Sequence, residues 1–377
     1  MLFSSLRTTA FRNLADSETF TGAKDVFLVG ENGQGKTNFL EALYFCAYAS
    51  SFRYVRDSEM SCNAHLRSGE RDFSAAVKIA QSANDEILVK LEKGKKSIFI
   101  NGKKTEDRKE LLSIAPSIVF CHEDLEFVSG SHERRRWFFD QTLSLYDPVY
   151  LEDLRRYRRV LKSRNTVLKE FSQKKASGNI EPVLDALDPQ LSEYGQKLME
   201  KRETAAKQFS DVFGPLYEEV AGIAGITVQY TKSWKTEDVP GLLREKRAAD
   251  MAAGVSLSGP HRDRYVFFKN ALHTNGPGGR TDVEFVSTAS TGQRRLLALL
   301  LRAAQARRFS EVTGLNPVLL LDDVLLEMDG EKRRRFLSVL PVYDQAFYTF
   351  LPEEPYQRYR KDDTLVYNVT EGQISGA

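Results

Sequence analysis

Residues 27–38 read Phe-Leu-Val-Gly-Glu-Asn-Gly-Gln-Gly-Lys-Thr-Asn, and this stretch limits the folds open to the chain. Gly30 to Thr37 fit the phosphate-loop pattern G-x-x-x-x-G-K-[ST], which works only between a buried strand and a helix. Phe27, Leu28 and Val29 read as the end of such a strand, and Phe39–Tyr44 has helical apolar spacing. The loop amides and the helix N-terminus would point at an anion, with glycine letting backbone approach closely. The residues expected to wrap the phosphates are Gly30, Glu31, Asn32, Gly33, Gln34, Gly35, Lys36, Thr37 and Asn38. Lys36 would reach the β- and γ-phosphates and Thr37 would hold Mg²⁺. The competing reading, a purely structural glycine-rich turn, lacks a need for the flanking strand and helix.

The whole chain of 377 residues has room for two or three domains. With 41% hydrophobic residues it can bury a sizeable core, and its net charge of +2 favours no partner globally. Cys46, Cys62 and Cys121 show no paired spacing and read as reduced thiols of a cytoplasmic protein. The N-terminus lacks the apolar core of a signal peptide, and no stretch reaches the roughly 20 apolar residues of a membrane span. The five histidines make no zinc pattern with the cysteines.

Taken in order, Leu2–Thr9 and Val26–Val29 read as strands and 39–49 as a helix. Residues 72–101 alternate as an antiparallel meander, with Asn101-Gly102 as a type I′ hairpin signal. Ile118–Cys121 reads as another buried strand. From 124 to about 250 charges recur at helical spacing, as in Leu151–Phe171 and Leu191–Phe213. Breaks are expected near Ser177-Gly178-Asn179 and at Pro189, and Lys174–Gly178 reads as an exposed turn. After Val255 α/β character returns: a loop at 276–279, strands at Val283–Val286, Val318–Leu321, Phe347–Phe350 and Thr364–Val369, and a helix at Gln293–Phe309. The expected division is an α/β head, 1–123 with 251–377, and an inserted helical arm, 124–250.

Pro317–Asp323 is an apolar run ending in two acids. Beside a phosphate loop, such a strand presents its first acid, Asp322, to Mg²⁺, and leaves Asp323 to orient or deprotonate the attacking water. Asp329 reads as a loop acid near a neighbouring subunit, a helix N-cap, or both. Ser290-Thr291-Gly292-Gln293 opens an apolar helix, where hydroxyl and amide donors gather at a positive helix end. This matches the S-x-G-Q signature of ABC-type ATPases, in which the motif caps the γ-phosphate held by a second subunit. Ser290, Gly292 and Gln293 are thus candidates to complete a partner's site, Gln293 among the catalytic residues beside Lys36, Asp322 and Asp323.

The chain resembles the RecF family, bacterial recombination and gap-repair ATPases related to SMC proteins. The resemblance rests on Phe11-Arg12-Asn13 and Gly30–Asn38, on Ser51-Phe52-Arg53 with Arg56-Asp57, and on Glu133–Asp140 and Tyr157–Asn165. Gly259-Pro260-His261-Arg262-Asp263, Ser290–Arg295 and Leu319–Asp323 complete it. Arg264, Leu326, His122 and the single Thr349 of Gln345–Phe350 depart from the family pattern. The resemblance implies an ABC-type head, a mixed sheet with the phosphate loop plus an antiparallel meander, carrying a helical arm without a long coiled coil. It further implies ATP-driven homodimerisation on DNA, a weak DNA-stimulated ATPase, and mediator partners RecR and RecO. Arg53, Arg56, Arg134, Arg135 and Arg136 are the named DNA candidates. Lys103, Lys104 and Arg155–Arg159 share their basic character, and a solvated helix face is the competing reading for the arm arginines. No aromatic base-reading motif is present, so DNA binding would be independent of sequence.

Other classes fit less well. A transporter-type ABC ATPase predicts an Asp-Glu ending to the acidic strand and a switch histidine; here the ending is Asp322-Asp323, with no histidine near Thr349. An SMC-like tether needs hundreds of heptad residues. A monomeric phosphate-loop kinase leaves Ser290–Gln293 without a role.

Overall fold

The computed structural model describes residues 2–53, 55–79, 85–107, 109–173, 179–272, 280–325 and 328–376. The chain forms two compact units, Met1–Asp124 with Leu299–Ala377, and Leu125–Ala298.

The first unit begins with β1 (Phe3–Thr9), β2 (Ser17–Phe20) and β3 (Asp25–Val29), then α1 (Lys36–Tyr48) and α2 (Asn63–Ser68). The meander β4 (Phe73–Ile79), β5 (Asp85–Glu92), β6 (Lys95–Ile100) and β7 (Lys103–Thr105) follows, then α3 (Lys109–Ile114) and β8 (Ser117–Phe120). An antiparallel sheet runs β2-β1-β4-β5-β6-β7. Asn101 and Gly102, between β6 and β7, take φ of 53° and 74°, both positive as a type I′ turn requires. Alternation explains the sheet: Phe73, Ala75, Val77, Ile87, Val89 and Leu91 face the core that α1 covers.

The second unit holds α4 (Glu126–Ser129), α5 (His132–Tyr146), α6 (Pro148–Ser172), α7 (Glu181–Ala221), β9 (Ile226–Thr231) and α8 (Val239–Ala253). β10 (Arg264–Leu272), β11 (Arg280–Glu284), α9 (Phe285–Thr288) and the start of α10 (Thr291–Thr313) complete it. The expected helical arm is therefore not purely helical. β9, β10 and β11 form a three-stranded antiparallel sheet. The pairing of β9 with β10 draws residues after 251, read from sequence as head, into this compact unit. Asn179 remains a boundary, its side chain accepting from the Glu181 amide at 3.0 Å. The expected turn at Lys174–Gly178 and the loop at 276–279 lie outside the described residues.

Pro189 does not break the helix; it and Pro215 lie inside α7. The neighbouring Asp188 explains how that is tolerated. Its buried carboxylate takes Arg164 of α6 at 2.8 Å and Arg247 of α8 at 2.9 Å. Arg164 also pairs with Asp250 at 2.7 Å and is fully buried. These ion pairs tie α7 to α6 and α8 next to the point where proline removes one backbone hydrogen bond.

His261 packs within this unit between the Tyr157 hydroxyl, 2.7 Å from Nδ1, and the Ser256 carbonyl, 3.0 Å from Nε2. Burial pushes its pKa down to about 4, and Arg262 and Arg136 add repulsion. The unfolded histidine titrates near about 6.5, so this contribution to stability is complete above that pH. It is lost as pH falls through about 4, by at most about 3 kcal/mol. His261→Gln is expected to flatten the fall in unfolding midpoint between about pH 6.5 and 4; an unchanged slope in urea melts overturns this assignment.

After α10 the chain finishes the first unit with β12 (Val318–Leu321), α11 (Gly330–Val339), β13 (Gln345–Phe350), β14 (Leu365–Thr370) and β15 (Gln373–Gly376). The second six-stranded sheet runs β15-β14-β3-β13-β12-β8, parallel except at β15. Val26–Val29 of β3 and Val318–Leu321 of β12 are continuous apolar runs, buried on both faces as parallel strands are. The architecture is thus mixed α/β, a largely parallel sheet that leads into the Gly30–Thr37 loop plus an antiparallel meander, as expected from sequence.

Candidate functional site

The Gly30–Thr37 loop leaves central strand β3 and opens α1. It therefore lies at the carboxyl ends of parallel strands, where open α/β sheets bind ligands. The Gly30 amide donates to the Phe350 carbonyl at 3.1 Å. A β-carbon at Gly30 would sit 2.4 Å from the Val369 carbonyl oxygen, so only glycine fits there. Gly35 has φ 118° and caps α1, a conformation side chains rarely adopt. The far side is tied to the sheet through Gln34, whose side chain accepts from the Glu371 amide at 2.6 Å and whose carbonyl accepts from Gly372 at 2.9 Å. Glu31, Asn32 and Gly33 are exposed. Lys36 is only 4% exposed, and its ammonium donates to the carbonyls of Gly30 at 2.5 Å and Glu31 at 3.2 Å.

β12 brings Asp322 to the loop from far along the chain. The Thr37 hydroxyl donates to Asp322 Oδ1 at 2.8 Å. Burial, followed by repulsion from Asp323, lifts the Asp322 pKa to about 7, while the Thr37 hydrogen bond pulls it down. A divalent cation would favour the ionised form. The donors fit Mg²⁺: one hydroxyl and one carboxylate oxygen, the remaining positions falling to phosphate and water. No cluster of three His, Cys, Asp or Glu among the described residues offers an all-protein cage.

Asp323 has φ 50°, an uncommon backbone for a residue with a side chain. Thr349 on β13 holds it: the hydroxyl accepts from the Asp323 amide at 2.7 Å and donates to its carboxylate at 2.8 Å. Asp322 and Asp323 thus stand together at the loop, each oriented by a hydroxyl from a different element. Asp329 caps α11, accepting from the Lys332 amide at 2.9 Å.

Two features escaped the sequence reading. Glu41, fully buried in α1, takes a bidentate pair from Arg12, both bonds 2.9 Å. Arg53 lies 3.7 Å from the same carboxylate and donates to Asn38 at 2.9 Å; Asn38 donates to Asn13 at 2.6 Å. Arg53 therefore braces the phosphate-loop helix. The second is Glu354, whose Oε2 accepts from the Leu351 amide at 2.7 Å while Oε1 is buried with no partner among the described residues. Burial raises its pKa against the pull of Arg333 and Lys36. A lone acid in a polar loop carries no motif, so nothing local could have marked it.

Ser290, Gly292 and Gln293 lie in the second unit at the start of α10. The Ser290 hydroxyl accepts from the Gln293 amide at 3.2 Å, and the Gln293 side chain accepts from the Ser290 amide at 2.8 Å. This reciprocal capping box leaves Ser290 and Gly292 exposed. Of the other basic candidates, Arg56 is exposed and Arg134 half-buried. Arg135 is buried and turned inward, donating to the carbonyls of Tyr265 at 3.2 Å and Gly130 at 3.3 Å. That position serves packing, not a solvent-facing phosphate contact. Arg136 donates to the Asp263 carbonyl at 2.6 Å.

A family model described as RecF/RecN/SMC N terminal domain matches residues 2–368. The DNA replication and repair protein RecF of Treponema pallidum is 43% identical over 96% of this chain and 97% of its own length. That of Bacillus subtilis is 32% identical over 93% of each. Among solved structures, the recombination mediator protein RecF-ATPrS in the RecFOR pathway matches with TM-score 0.81 and 25% identity, covering 99% of this chain and 97% of that one. An Smc head bound to the C-winged helix domain of ScpA shares the fold at TM-score 0.54 and 13% identity, covering 100% and 98%.

Proposed function

The chain belongs to the RecF family within the RecF/RecN/SMC N-terminal domain group, and from that premise we propose an ATP-dependent DNA-binding protein of recombinational and replication-fork repair. The observation that carries the nucleotide part is the contact of Thr37 with Asp322 beside buried Lys36, the hydroxyl–carboxylate pair a Mg²⁺–triphosphate needs. In this reading ATP binding joins two copies head to head on DNA, and slow, DNA-stimulated hydrolysis resets them. Lys36 stabilises charge on the transferring γ-phosphoryl group, and Asp323, fixed by Thr349, orients the attacking water. Thr37 and Asp322 would hold Mg²⁺, which when bound neutralises developing phosphate charge. Ser290, Gly292 and Gln293 reach the γ-phosphate of the other copy. Asp329 stands near the same junction.

DNA contact is assigned to basic surface residues and to the backbone of either strand, without base reading. The dimer would assist recombinase loading at single-strand gaps with RecR and RecO, in the cytoplasm. No described helix is long and apolar enough to cross a membrane.

A salt-titrated DNA-binding assay tests this reading. With ATP and Mg²⁺, affinity is expected to fall linearly with log salt, with a slope of about −0.9 per phosphate neutralised. Without nucleotide, binding is expected to weaken sharply. Binding that ignores both ATP and salt refutes it.

A further inference from the structure

The second unit contains a cavity of about 710 Å³ between α5, α6 and the Pro260–Arg262 turn. Five arginines line it, Arg134, Arg136, Arg158, Arg202 and Arg262, against two acids, Glu133 and Asp140. Asp140 is fully engaged: Oδ1 takes Arg202 at 2.8 Å and the Tyr150 hydroxyl at 2.5 Å, and Oδ2 takes Arg158 at 3.2 Å. Glu133 is exposed. His261 stays neutral at physiological pH, held down by burial. Arg202 also meets the buried Asp263 carboxylate at 3.3 Å, so these five arginines face three acids, Glu133, Asp140 and Asp263, and positive charge remains in excess.

The Gly259–Asp263 motif explains how one of these is displayed. The Pro260 carbonyl accepts from Arg202 at 2.8 Å, His261 is held by Tyr157, and the buried Asp263 carboxylate accepts from the Ser233 amide at 2.7 Å. Arg262 alone in the motif is exposed; its backbone amide donates to the Gly259 carbonyl at 2.7 Å, while its guanidinium meets no protein acceptor among the described residues. A rigid, buried frame thus presents a guanidinium with an empty fork. Crowding costs energy here: burial and then Arg202 hold the Arg136 guanidinium below its ordinary pKa. A bound anion would relieve that repulsion.

We propose that this cavity is a phosphate-binding site, separate from the Gly30–Thr37 loop, in which Arg262 and Arg158 grip a phosphate ester. Planar guanidinium forks match phosphate oxygens in bidentate geometry. The volume exceeds that of a bare phosphate, and the Trp137 and Tyr157 rings on its wall suit a nucleoside-sized group carrying one. The phosphate can come from a free nucleotide or from a DNA strand, which offer the same chemistry.

The test uses the full chain carrying Lys36→Ala, so that the outcome does not depend on the phosphate loop or on ATP hydrolysis. Inorganic pyrophosphate is titrated by calorimetry. Binding is expected, and Arg262→Ala is expected to weaken it about tenfold, the loss of one charge-assisted hydrogen bond. Arg158→Ala in the same chain should weaken it further, and Arg262→Lys should restore part of the loss. Displacement of pyrophosphate by duplex DNA assigns the site to strand phosphate; displacement by adenosine monophosphate alone assigns it to a free nucleotide. Affinity unchanged by Arg262→Ala, or no binding of pyrophosphate, overturns the proposal.

Discussion

Lys36→Arg is expected to leave the fold intact and to lower ATP hydrolysis by roughly 10²–10³-fold, the effect of removing one positioned charge donor. The Lys36 ammonium is buried and sits against the carbonyls of Gly30 and Glu31. That space fits a compact ammonium on a flexible stem. A guanidinium is wider and planar, and cannot enter without displacing the loop. The sheet does not depend on this side chain: it bonds the loop carbonyls, while α1 is anchored by Phe39, Leu40, Leu43 and the Arg12–Glu41 pair. Phosphate release should therefore collapse while the circular dichroism spectrum and melting midpoint stay near those of the parent. Parental turnover would remove the phosphate-loop assignment altogether.

The phosphate loop and acidic strand were legible because each is local. Gly30–Thr37 and Val318–Asp323 carry their meaning in consecutive residues, and a run of four apolar residues closed by a proline before it and two acids after it has the length of a buried strand, not of a helix. What they do together was legible only as a pairing rule; the structure adds the Thr37–Asp322 contact across the chain. β9 and β10 were missed for the opposite reason. Ile226–Thr231 is a short strand whose partner begins at Arg264, beyond the whole of α8, and the surrounding charge pattern is helical. β2 and β15 are four-residue edge strands, too short for a period to register. Pro189 misled because proline acts locally while Asp188 is anchored by helices distant in sequence. The helical charge pattern also had two meanings. Arg156 pairs with Glu152 on an exposed helix face, whereas Arg164, Asp188 and Arg202 are buried and hold the unit together. Spacing alone does not separate a solvated charge from an interior one.

Ser290→Arg is expected to abolish ATP-dependent dimerisation while sparing the monomer. Ser290 is exposed, and its capping bond to the Gln293 amide is its main structural duty. Losing that cap costs about 1 kcal/mol, too little to unfold the chain. A β-carbon at the nearby Gly292 would meet nothing within 4 Å among the described residues, so this helix end is uncrowded within its own unit. If that space receives the γ-phosphate held by a second copy, a long arginine side chain fills it and keeps the copies apart. Light scattering with ATP and Mg²⁺ should then report monomer at concentrations where the parent dimerises. Mixing the Lys36→Arg and Ser290→Arg chains sharpens the test. One composite site then carries both lesions, and the other joins an intact phosphate loop to an intact Ser290–Gln293 segment. Phosphate release should reappear in the mixture although neither chain alone shows it. A Ser290→Arg chain that still dimerises with ATP, or a mixture that stays silent beside a stable heterodimer, would mean that the site is complete within one chain.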